Sequence, residues 1–249
     1  MKKIVLSAFV LAGLMFTSCD KSDDETSGNN EVVPVKMSSE DSNMELSYDD
    51  QNRLVKLSDT SEGTHGQMTY SYSSVSELEY SGEELTKITE VYNSIYNENQ
   101  TSSTTEYTFS KSNNTITVYY KMVDDGSTYT GSESLQIDEK GYLITNEDYL
   151  YFYNSKGNIV KISDEDTESL FEYDDKNGIF KNVKTPQWIL EHFFDIGVFF
   201  INNPVKYTYK DVEYPEDNET VSINYQYNAS GYPIKMNAPE QTSTIQYNK

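Results

Sequence analysis

A short unit that recurs along the chain constrains the fold most: an apolar residue, a spacer, a second apolar residue that is usually aromatic, and then a polar loop. Four residues after the second apolar position stands glycine or asparagine in six of the seven complete copies, and both tolerate the positive φ of a left-handed residue. Aspartate or asparagine often opens the loop, where its side chain can bond the backbone two residues on. Each copy therefore predicts a β-hairpin. The complete copies lie at 46–48, 78–80, 107–109, 135–137, 151–153, 171–173 and 225–227, and a half-copy lies at 245–247.

The strand that leaves each loop alternates apolar and polar residues, the two-residue period of a strand with one buried face. Lys56 and Lys161 each stand between apolar neighbours, so we expect them to point away from the core. Lysines recur near the same place at Lys87, Lys181 and Lys235. One interpretation is an anion-binding stripe. The other, which we favour, is a solvated face where lysines oppose acidic loop residues and protect strand edges.

Length and composition favour one folded domain after the N-terminal segment. The chain has 249 residues, enough for a sizeable core, and its 22 tyrosines are strand-forming residues that argue against disorder. We predict a mainly β domain over 31–249, built as a twisted antiparallel meander of repeated β-hairpins. A strongly curled sheet of this kind closes toward a barrel.

One segment departs from the β pattern and predicts a single hydrophobic α-helix at about 186–201. Thr185 before Pro186 combines a capping residue with the proline preferred at the first helical position. Apolar side chains continue nearly all the way round, and Gly197 either ends the helix or lies inside it. We expect this helix to pack on the concave face of the sheet as a plug. The alternative is a lipid-facing or partner-facing insertion.

Residues 1–18 have the order of a secretory signal peptide. Two lysines precede an apolar run from Ile4 to Phe16, too short to span a bilayer permanently, and small polar residues lead to Cys19, the one cysteine of the chain. The stretch resembles a bacterial lipobox, which implies cleavage before Cys19 and acylation of its sulfur and new amino group. The alternative is an ordinary signal peptide followed by a stray thiol.

Residues 20–30 contain no apolar side chain, so we predict a lipid-anchored flexible tether over 19–30. The acidic cluster directly after Cys19 resembles the export tag of Bacteroidetes surface lipoproteins. That resemblance implies an outer-membrane lipoprotein whose domain faces outside the cell, and the alternative is a domain that faces the periplasm. Acyl chains would supply the membrane contact without a transmembrane helix.

The charge balance excludes some partners. The chain carries 41 acidic and 19 basic side chains, a formal charge of −22, and Arg53 is its one arginine. No basic surface is left to neutralise phosphates, so we expect no nucleic acid as a partner. Adhesion to anionic lipid through a basic patch fails for the same reason.

Catalytic chemistry has little support, and we predict no enzyme, no catalytic residue, no metal and no cofactor. His65 and His192 are the two histidines, and no second cysteine is present, so zinc and cysteine chemistry lack ligands. No phosphate loop, dinucleotide fingerprint or nucleophile elbow appears. The acidic runs 164–168 and 216–219 lack the spacing of a dedicated calcium loop.

Rows of tyrosine are the best indication of binding. Alternate residues of a strand share a face, so these tyrosines would form flat aromatic rows suited to stacking on sugar rings or on a partner protein. The alternative is that the same rows form the core and the cross-strand ladders of the sheet. The candidate binding residues are Tyr149, Tyr151, Tyr153, Tyr207, Tyr209, Tyr225 and Tyr227.

Two segments carry a resemblance to known repeats. The sequences Tyr-Asp-Asp-Gln-Asn-Arg-Leu at 48–54 and Tyr-Asn-Ser-Lys-Gly-Asn-Ile at 153–159 resemble the tyrosine-aspartate repeats of Rhs-type proteins. The mature chain as a whole is similar to a Bacteroidetes surface lipoprotein family, a domain of unknown function. Successive copies are irregularly spaced, so a regular Rhs shell is not implied.

These observations lead to one leading functional hypothesis and two alternatives. The leading hypothesis is a non-enzymatic cell-surface lipoprotein that binds a glycan or a protein partner. The first alternative is a carrier or periplasm-facing accessory protein that encloses an apolar ligand. The second is a glycoside hydrolase with two carboxylates, for which 41 acidic residues make chance pairs easy to find.

Overall fold

The computed structural model describes residues 31–65, 68–97, 99–239 and 241–249. The predicted signal peptide at 1–18 and the predicted tether at 19–30, with Cys19, lie outside the described residues.

Seventeen β-strands and one α-helix run through the described residues, so the chain is mainly β, as predicted. The helix is α1 (Gln187–His192). The strands are β1 (Pro34–Ser38), β2 (Ser42–Tyr48), β3 (Leu54–His65), β4 (Met68–Ser81), β5 (Glu84–Tyr96), β6 (Asn99–Ser112), β7 (Thr115–Asp124), β8 (Ser127–Ile137), β9 (Leu143–Thr145), β10 (Leu150–Tyr153), β11 (Ile159–Ser163), β12 (Thr167–Tyr173), β13 (Pro204–Asp211), β14 (Glu219–Ser222), β15 (Asn224–Tyr227), β16 (Pro233–Ala238) and β17 (Gln241–Tyr247).

The strands form one antiparallel meander that nearly closes into a barrel. Each strand from β1 to β13 pairs with the strand that follows it. At the other end β15 pairs with β16, β16 with β17, and β17 returns to pair with β1. β14 and β15 are two parts of one run at 219–227, paired with β13 on one side and with β16 on the other. The predicted meander of hairpins that curls toward a barrel is confirmed.

The predicted loop geometry is present where a copy closes a tight hairpin. Asn52, Gly157 and Gly231 have φ of 61°, 95° and 76° and are left-handed. Asp49 and Asn154 each accept, through Oδ1, the backbone N–H groups two and four residues on. The side chain that opens the loop and the left-handed residue near its end together fix the turn.

The copy at 171–173 is an exception, and its prediction of a left-handed Asn177 is wrong. Here the strand that returns beside β12 is β13, so residues 174–203 are inserted between the two arms of the hairpin. Asp174 Oδ1 still accepts the N–H of Lys176 at 3.1 Å, but its second donor is the N–H of Asn203, also at 3.1 Å. Asp174 therefore has the same place at the start of the loop as Asp49 and Asn154, although here the two strands of the hairpin are separated by an insertion.

Several lysines of the strands point outward and pair with acidic residues on neighbouring strands. Lys56 Nζ lies 3.3 Å from Glu77 Oε1, and Lys87 Nζ lies 3.3 Å from Glu79 and 3.4 Å from Glu106. These pairs are exposed, so each contributes little to stability. Their arrangement is that of the favoured solvated face, with acids of the strands rather than of the loops as partners.

The inserted segment 174–203 packs inside the barrel as a plug, in agreement with the packing expected for the predicted helix. Ile179, Phe180, Ile189 and Leu190 are fully buried and belong to the same core as the inward residues of the strands. Thr185 Oγ1 accepts the backbone N–H of Leu54 at 2.7 Å and thereby joins the plug to the wall.

The plug contains less helix than the predicted range of about 186–201. α1 begins directly after Pro186, as expected, but Thr185 does not cap it, because its hydroxyl bonds the barrel wall. The helix ends at His192, since Asp195 adopts a left-handed φ of 52° and turns the chain into a short 3-10 helix at Gly197–Phe199. This reversal lets Phe180 N–H bond the carbonyl of Phe199 at 3.1 Å. Among the described residues no helix is long and apolar enough to cross a bilayer.

Six strands continue past the core as three long hairpins, β3–β4, β5–β6 and β7–β8. Their buried apolar positions end near Leu57, Leu78 and Ile88, and most residues beyond them are exposed or half-buried. We call this part of the sheet the extension. It consists of residues 58–65, 68–76, 90–96, 99–105, 119–124 and 127–133.

Candidate functional site

The tyrosines that the sequence singled out lie at the core. Tyr151 and Tyr207 are 8% and 5% exposed, and Tyr149, Tyr153, Tyr209 and Tyr225 pack against the buried cluster. The hydroxyl of Tyr227 donates to Asp174 of the loop that opens the plug. Tyr151 and Tyr207 thus occupy the core position of the alternative, whereas the other five are half-buried.

Five exposed tyrosines lie instead on the extension, on the face that continues the core side of the sheet. Strand register fixes this face: Leu78 is opposite Ile88, Ile88 is opposite Tyr107, and Tyr107 is opposite Tyr120. Counting in steps of two from these positions places one set of tyrosines on the same side. We call this set and its neighbours the tyrosine face. Its tyrosines are Tyr70, Tyr72, Tyr92, Tyr96, Tyr120 and Tyr129.

Two of these rings lie across a glycine of the neighbouring strand. Tyr70 is opposite Gly63, and Tyr120 is opposite Gly131. A Cβ atom added to Gly63 would lie 2.7 Å from Cζ of Tyr70, and one added to Gly131 would lie 2.8 Å from Cε1 of Tyr120. Each ring therefore occupies the space above its glycine, while both tyrosines remain 37% exposed.

Polar side chains surround the rings. Tyr72 stacks on Tyr92 with ring centroids 6.3 Å apart, and its hydroxyl donates to Asp59 Oδ2 at 3.1 Å. Burial raises the pKa of the Asp59 carboxyl. Ser74 donates to Glu90 Oε1 at 2.9 Å. Hydroxyl and carboxylate groups thus alternate with aromatic rings on one face.

A hollow of about 150 Å³ lies where the tyrosine face meets the end of α1. Glu90, Tyr107 and Glu133 line it from the strands, and His192 and Phe193 line it from the plug. His192 Nε2 lies 2.9 Å from Glu133 Oε1, and this bond holds the pKa of the Glu133 carboxyl below its usual value. Burial raises the pKa of Tyr107 to about 12, so its hydroxyl stays protonated at neutral pH.

The tyrosine face has no positive side chain to attract an anion. Among its described residues in the extension none is Lys or Arg, and Asp59, Glu90, Asp124 and Glu133 are acidic. The whole chain carries a formal charge of −22. An acidic polymer would therefore be repelled, whereas an uncharged or cationic ligand would not.

The described residues contain no group of three or more His, Cys, Asp or Glu side chains placed to hold a metal ion. His192 belongs to the hollow described above. The side chain of His65 lies outside the described part of the chain. The lipidation site predicted at Cys19 also lies outside it.

The sequence does carry a signal for the tyrosine face. Tyr70 and Tyr72 have the same two-residue spacing as the tyrosines that were chosen, and Asp125-Gly126 between alternating segments is a strong hairpin signal. Spacing alone does not separate an exposed row from a buried one. The difference lies in the neighbours, which are serine and threonine in the extension and aliphatic residues in the core.

Similar solved structures include two proteins of low sequence identity. One is a porin-like protein from Bacteroides vulgatus ATCC 8482, with 12% identity and a TM-score of 0.43 over 87% of this chain and 99% of that one. The other is a porin-like protein from Bacteroides uniformis ATCC 8492, with 15% identity and a TM-score of 0.39 over 87% of this chain and 96% of that one. TM-scores this low assign neither a family nor an activity to this chain. No protein-family model and no curated protein matches it.

Proposed function

We propose that this chain is a non-enzymatic glycan-binding lipoprotein of the outer membrane and that the tyrosine face is its binding surface. The observation that carries the proposal is the exposure of five tyrosines on one face of a sheet that has no core behind it at that point. Large aromatic side chains are ordinarily covered, and their concentration in one exposed area indicates an interaction site.

A glycan fits the chemistry of this face better than the other ligands considered. Flat tyrosine rings stack on sugar rings, and the nearby serine, threonine and carboxylate groups can bond sugar hydroxyls. A protein partner remains the competing ligand, because tyrosine also suits protein interfaces. Among the described residues the barrel interior is filled by core and plug side chains, so no observation favours an enclosed apolar ligand.

The location belongs to the same proposal. Acylation of Cys19 and the tether at 19–30 would hold the domain at the outer membrane, facing outward. The charged outer face of the strands agrees with a domain surrounded by water, since Lys206 and Glu172, for example, form an exposed pair at 2.7 Å. Labelled palmitate should be incorporated into the native chain and not into Cys19→Ala. Protease added to intact cells should digest the domain, whereas a periplasmic domain would survive.

Binding is tested with the purified full chain in a thermal-shift screen against neutral plant and host glycans, mucins and candidate protein partners. A ligand present at a hundredfold its Kd stabilises by about 2.7 kcal/mol, a shift of several degrees in Tm for a chain of this size. Tyr96→Ser and Tyr129→Ser should abolish the shift, because both side chains are about half exposed on the tyrosine face.

Tyr119→Ser is the matched control. Tyr119 is equally exposed, at 49%, but its register position opposite Thr108 and Ser132 puts it on the other face of the sheet. The control should keep the full shift. A response confined to a protein, or a glycan response that survives the Tyr96 and Tyr129 variants, would contradict the proposed glycan surface.

A further inference from the structure

The tyrosine face points to one shape of ligand. On the basis of the proposed function, we propose that it binds a linear, uncharged polysaccharide laid diagonally across the extension, from the ring of Tyr70 on Gly63 to the ring of Tyr120 on Gly131. The two tyrosine–glycine pairs act as stacking platforms at the two ends of this path.

The platforms differ from the other exposed tyrosines in how they are supported. Each of these two rings lies over a glycine of the next strand, where no side chain lifts the ring away from the sheet, and part of each tyrosine stays exposed. Only glycine fits at positions 63 and 131, because a Cβ atom at either position would overlap the tyrosine ring above it. A fixed flat ring suits the flat side of a sugar because little side-chain entropy remains to be lost on binding.

Further tyrosines lie between the platforms and beside the second one. Tyr96 is directly opposite Tyr70, and the stacked pair Tyr72 and Tyr92 comes next toward the core. Beyond them Tyr129 stands two residues from Gly131 on β8. The aromatic positions thus follow a diagonal from the distal end of β4 to the middle of β7 and β8.

The strand register gives the length of this path. Along β5, eight residues separate Ile88 from Tyr96, which is opposite Tyr70. Across the sheet, Ile88 is opposite Tyr107 and Tyr107 is opposite Tyr120, so Tyr120 lies three strands from β4. With ~3.4 Å per residue and ~4.8 Å between strands, the platforms are about 30 Å apart. A ligand that touches both must be an extended chain of several sugars rather than a mono- or disaccharide.

The face also predicts that the polysaccharide carries no acidic groups. Its described residues in the extension include no Lys or Arg to bind a sulfate or uronate group, while Asp59, Glu90 and Asp124 are acidic. Neutral sugars can use these carboxylates as hydrogen-bond acceptors. Acidic polysaccharides meet repulsion that weakens as salt screens the charges.

The test uses the full chain and oligosaccharides of two to eight residues made of β-1,4-glucose, α-1,4-glucose, β-1,4-xylose or β-1,4-mannose, with polygalacturonate as the acidic probe. One neutral series should bind with a Kd that falls at least tenfold from the dimer to the octamer and then levels off, because the second platform is reached only by a long chain. Polygalacturonate should not bind.

Single substitutions separate the two platforms. Tyr70→Ala and Tyr120→Ala should each weaken octamer binding roughly three- to tenfold, as expected for the loss of one aromatic contact. Gly131→Ala is the sharper variant, since it keeps the ring of Tyr120 but displaces it from the sheet, and it should weaken the octamer by a similar factor. Ser132→Ala, on the opposite face of the same strand, should leave both the Kd and Tm unchanged.

The outcomes distinguish this inference from the function on which it rests. Two results would support glycan binding but contradict the two-platform path. In the first, the affinity for a neutral series depends on Tyr96 and Tyr129 but not on the length of the oligosaccharide. In the second, the affinity is unchanged in Gly131→Ala, and this variant has the native Tm. Preference for polygalacturonate would contradict the proposal that the ligand is uncharged. Absence of binding by every series and by polygalacturonate overturns both proposals.

Discussion

The hydroxyl of Tyr173 donates to the backbone carbonyl of Ile159 at 2.6 Å, a bond from the end of one repeat copy to the start of the strand that leaves the previous loop. The same relation joins Tyr153 to the carbonyl of Leu143 at 2.8 Å. It recurs for Tyr80 with Leu54 and for Tyr247 with Pro233. In these four copies the second aromatic position is tyrosine, and its hydroxyl links the hairpin to its neighbour where the strands diverge into loops.

Tyr173→Phe removes this bond and keeps the ring. Because the carbonyl of Ile159 would lose a buried donor, we expect the free energy of unfolding to fall by about 1 kcal/mol. Urea denaturation measures it. Tyr119→Phe, on the exposed outer face, should be neutral and serves as the control. Equal effects of the two variants would show that the bond from Tyr173 does not contribute to stability.

Thr185 should be needed to hold the plug in the barrel. Its hydroxyl is 1% exposed, accepts the Leu54 N–H at 2.7 Å and lies 3.3 Å from the hydroxyl of Tyr80. Thr185→Val keeps the shape but leaves the N–H unpaired, so we expect a loss of roughly 1–3 kcal/mol. Thr185→Ser retains the hydroxyl and should lose less. Hydrogen exchange of the Leu54 amide should speed up in the valine variant; an unchanged rate would contradict the role given to this contact.

Glu191 should make stability fall as pH rises. Its carboxyl is buried in the plug, and among the described residues no group donates to its Oε2. Burial, with a smaller effect of the nearby Asp195 charge, raises its pKa to about 8. The folded state therefore holds a proton that the unfolded chain loses near pH 4.5. The contribution of Glu191 is fully present below that pH and is lost as pH rises through about 8, on the order of one kcal/mol per pH unit between them.

Glu191→Gln tests this directly, because glutamine has the same shape and no titration. The difference in unfolding free energy between the variant and the native chain should grow in favour of the variant from pH 5 to pH 8. The charged and titratable groups around Glu191 are Asp195, Tyr151, Tyr153 and Tyr173, and they stay in place in both proteins. Parallel stability curves over this pH range would refute the raised pKa.

The sequence was sufficient for those parts of the fold that local chemistry decides. Asp49 and Asn52 carry a complete turn in five residues, so the hairpins could be predicted from their spacing alone. The insertion after Tyr173 could not be predicted, because the same Tyr-Asp sequence precedes it as precedes a tight turn. The difference is that the partner strand begins only at Pro204, and this pairing is visible only in the folded structure. The helix was overestimated because apolar content indicates burial, whereas its end is set by the reversal at Asp195.

The site was harder to predict than the fold. A tyrosine every second residue is compatible with a core ladder and with an exposed face, and the sequence analysis chose the rows that became core. What decides exposure is whether another layer covers the strand. The plug covers the inward side near Tyr107, which packs on Phe193, but Tyr92 and Tyr96 farther along β5 are left open.

This difference between core and exposed tyrosines gives a last prediction. Tyr207 is 5% exposed and packs on Phe171 with ring centroids 5.4 Å apart, whereas Tyr129 is 52% exposed. Tyr207→Ala should lower the free energy of unfolding by about 3–5 kcal/mol, the cost of emptying an aromatic site in a core. Tyr129→Ala should change it by no more than about 0.5 kcal/mol, because it removes a surface side chain. Urea denaturation of both variants measures the contrast, and a large loss for Tyr129→Ala would mean that its ring supports the sheet rather than a ligand.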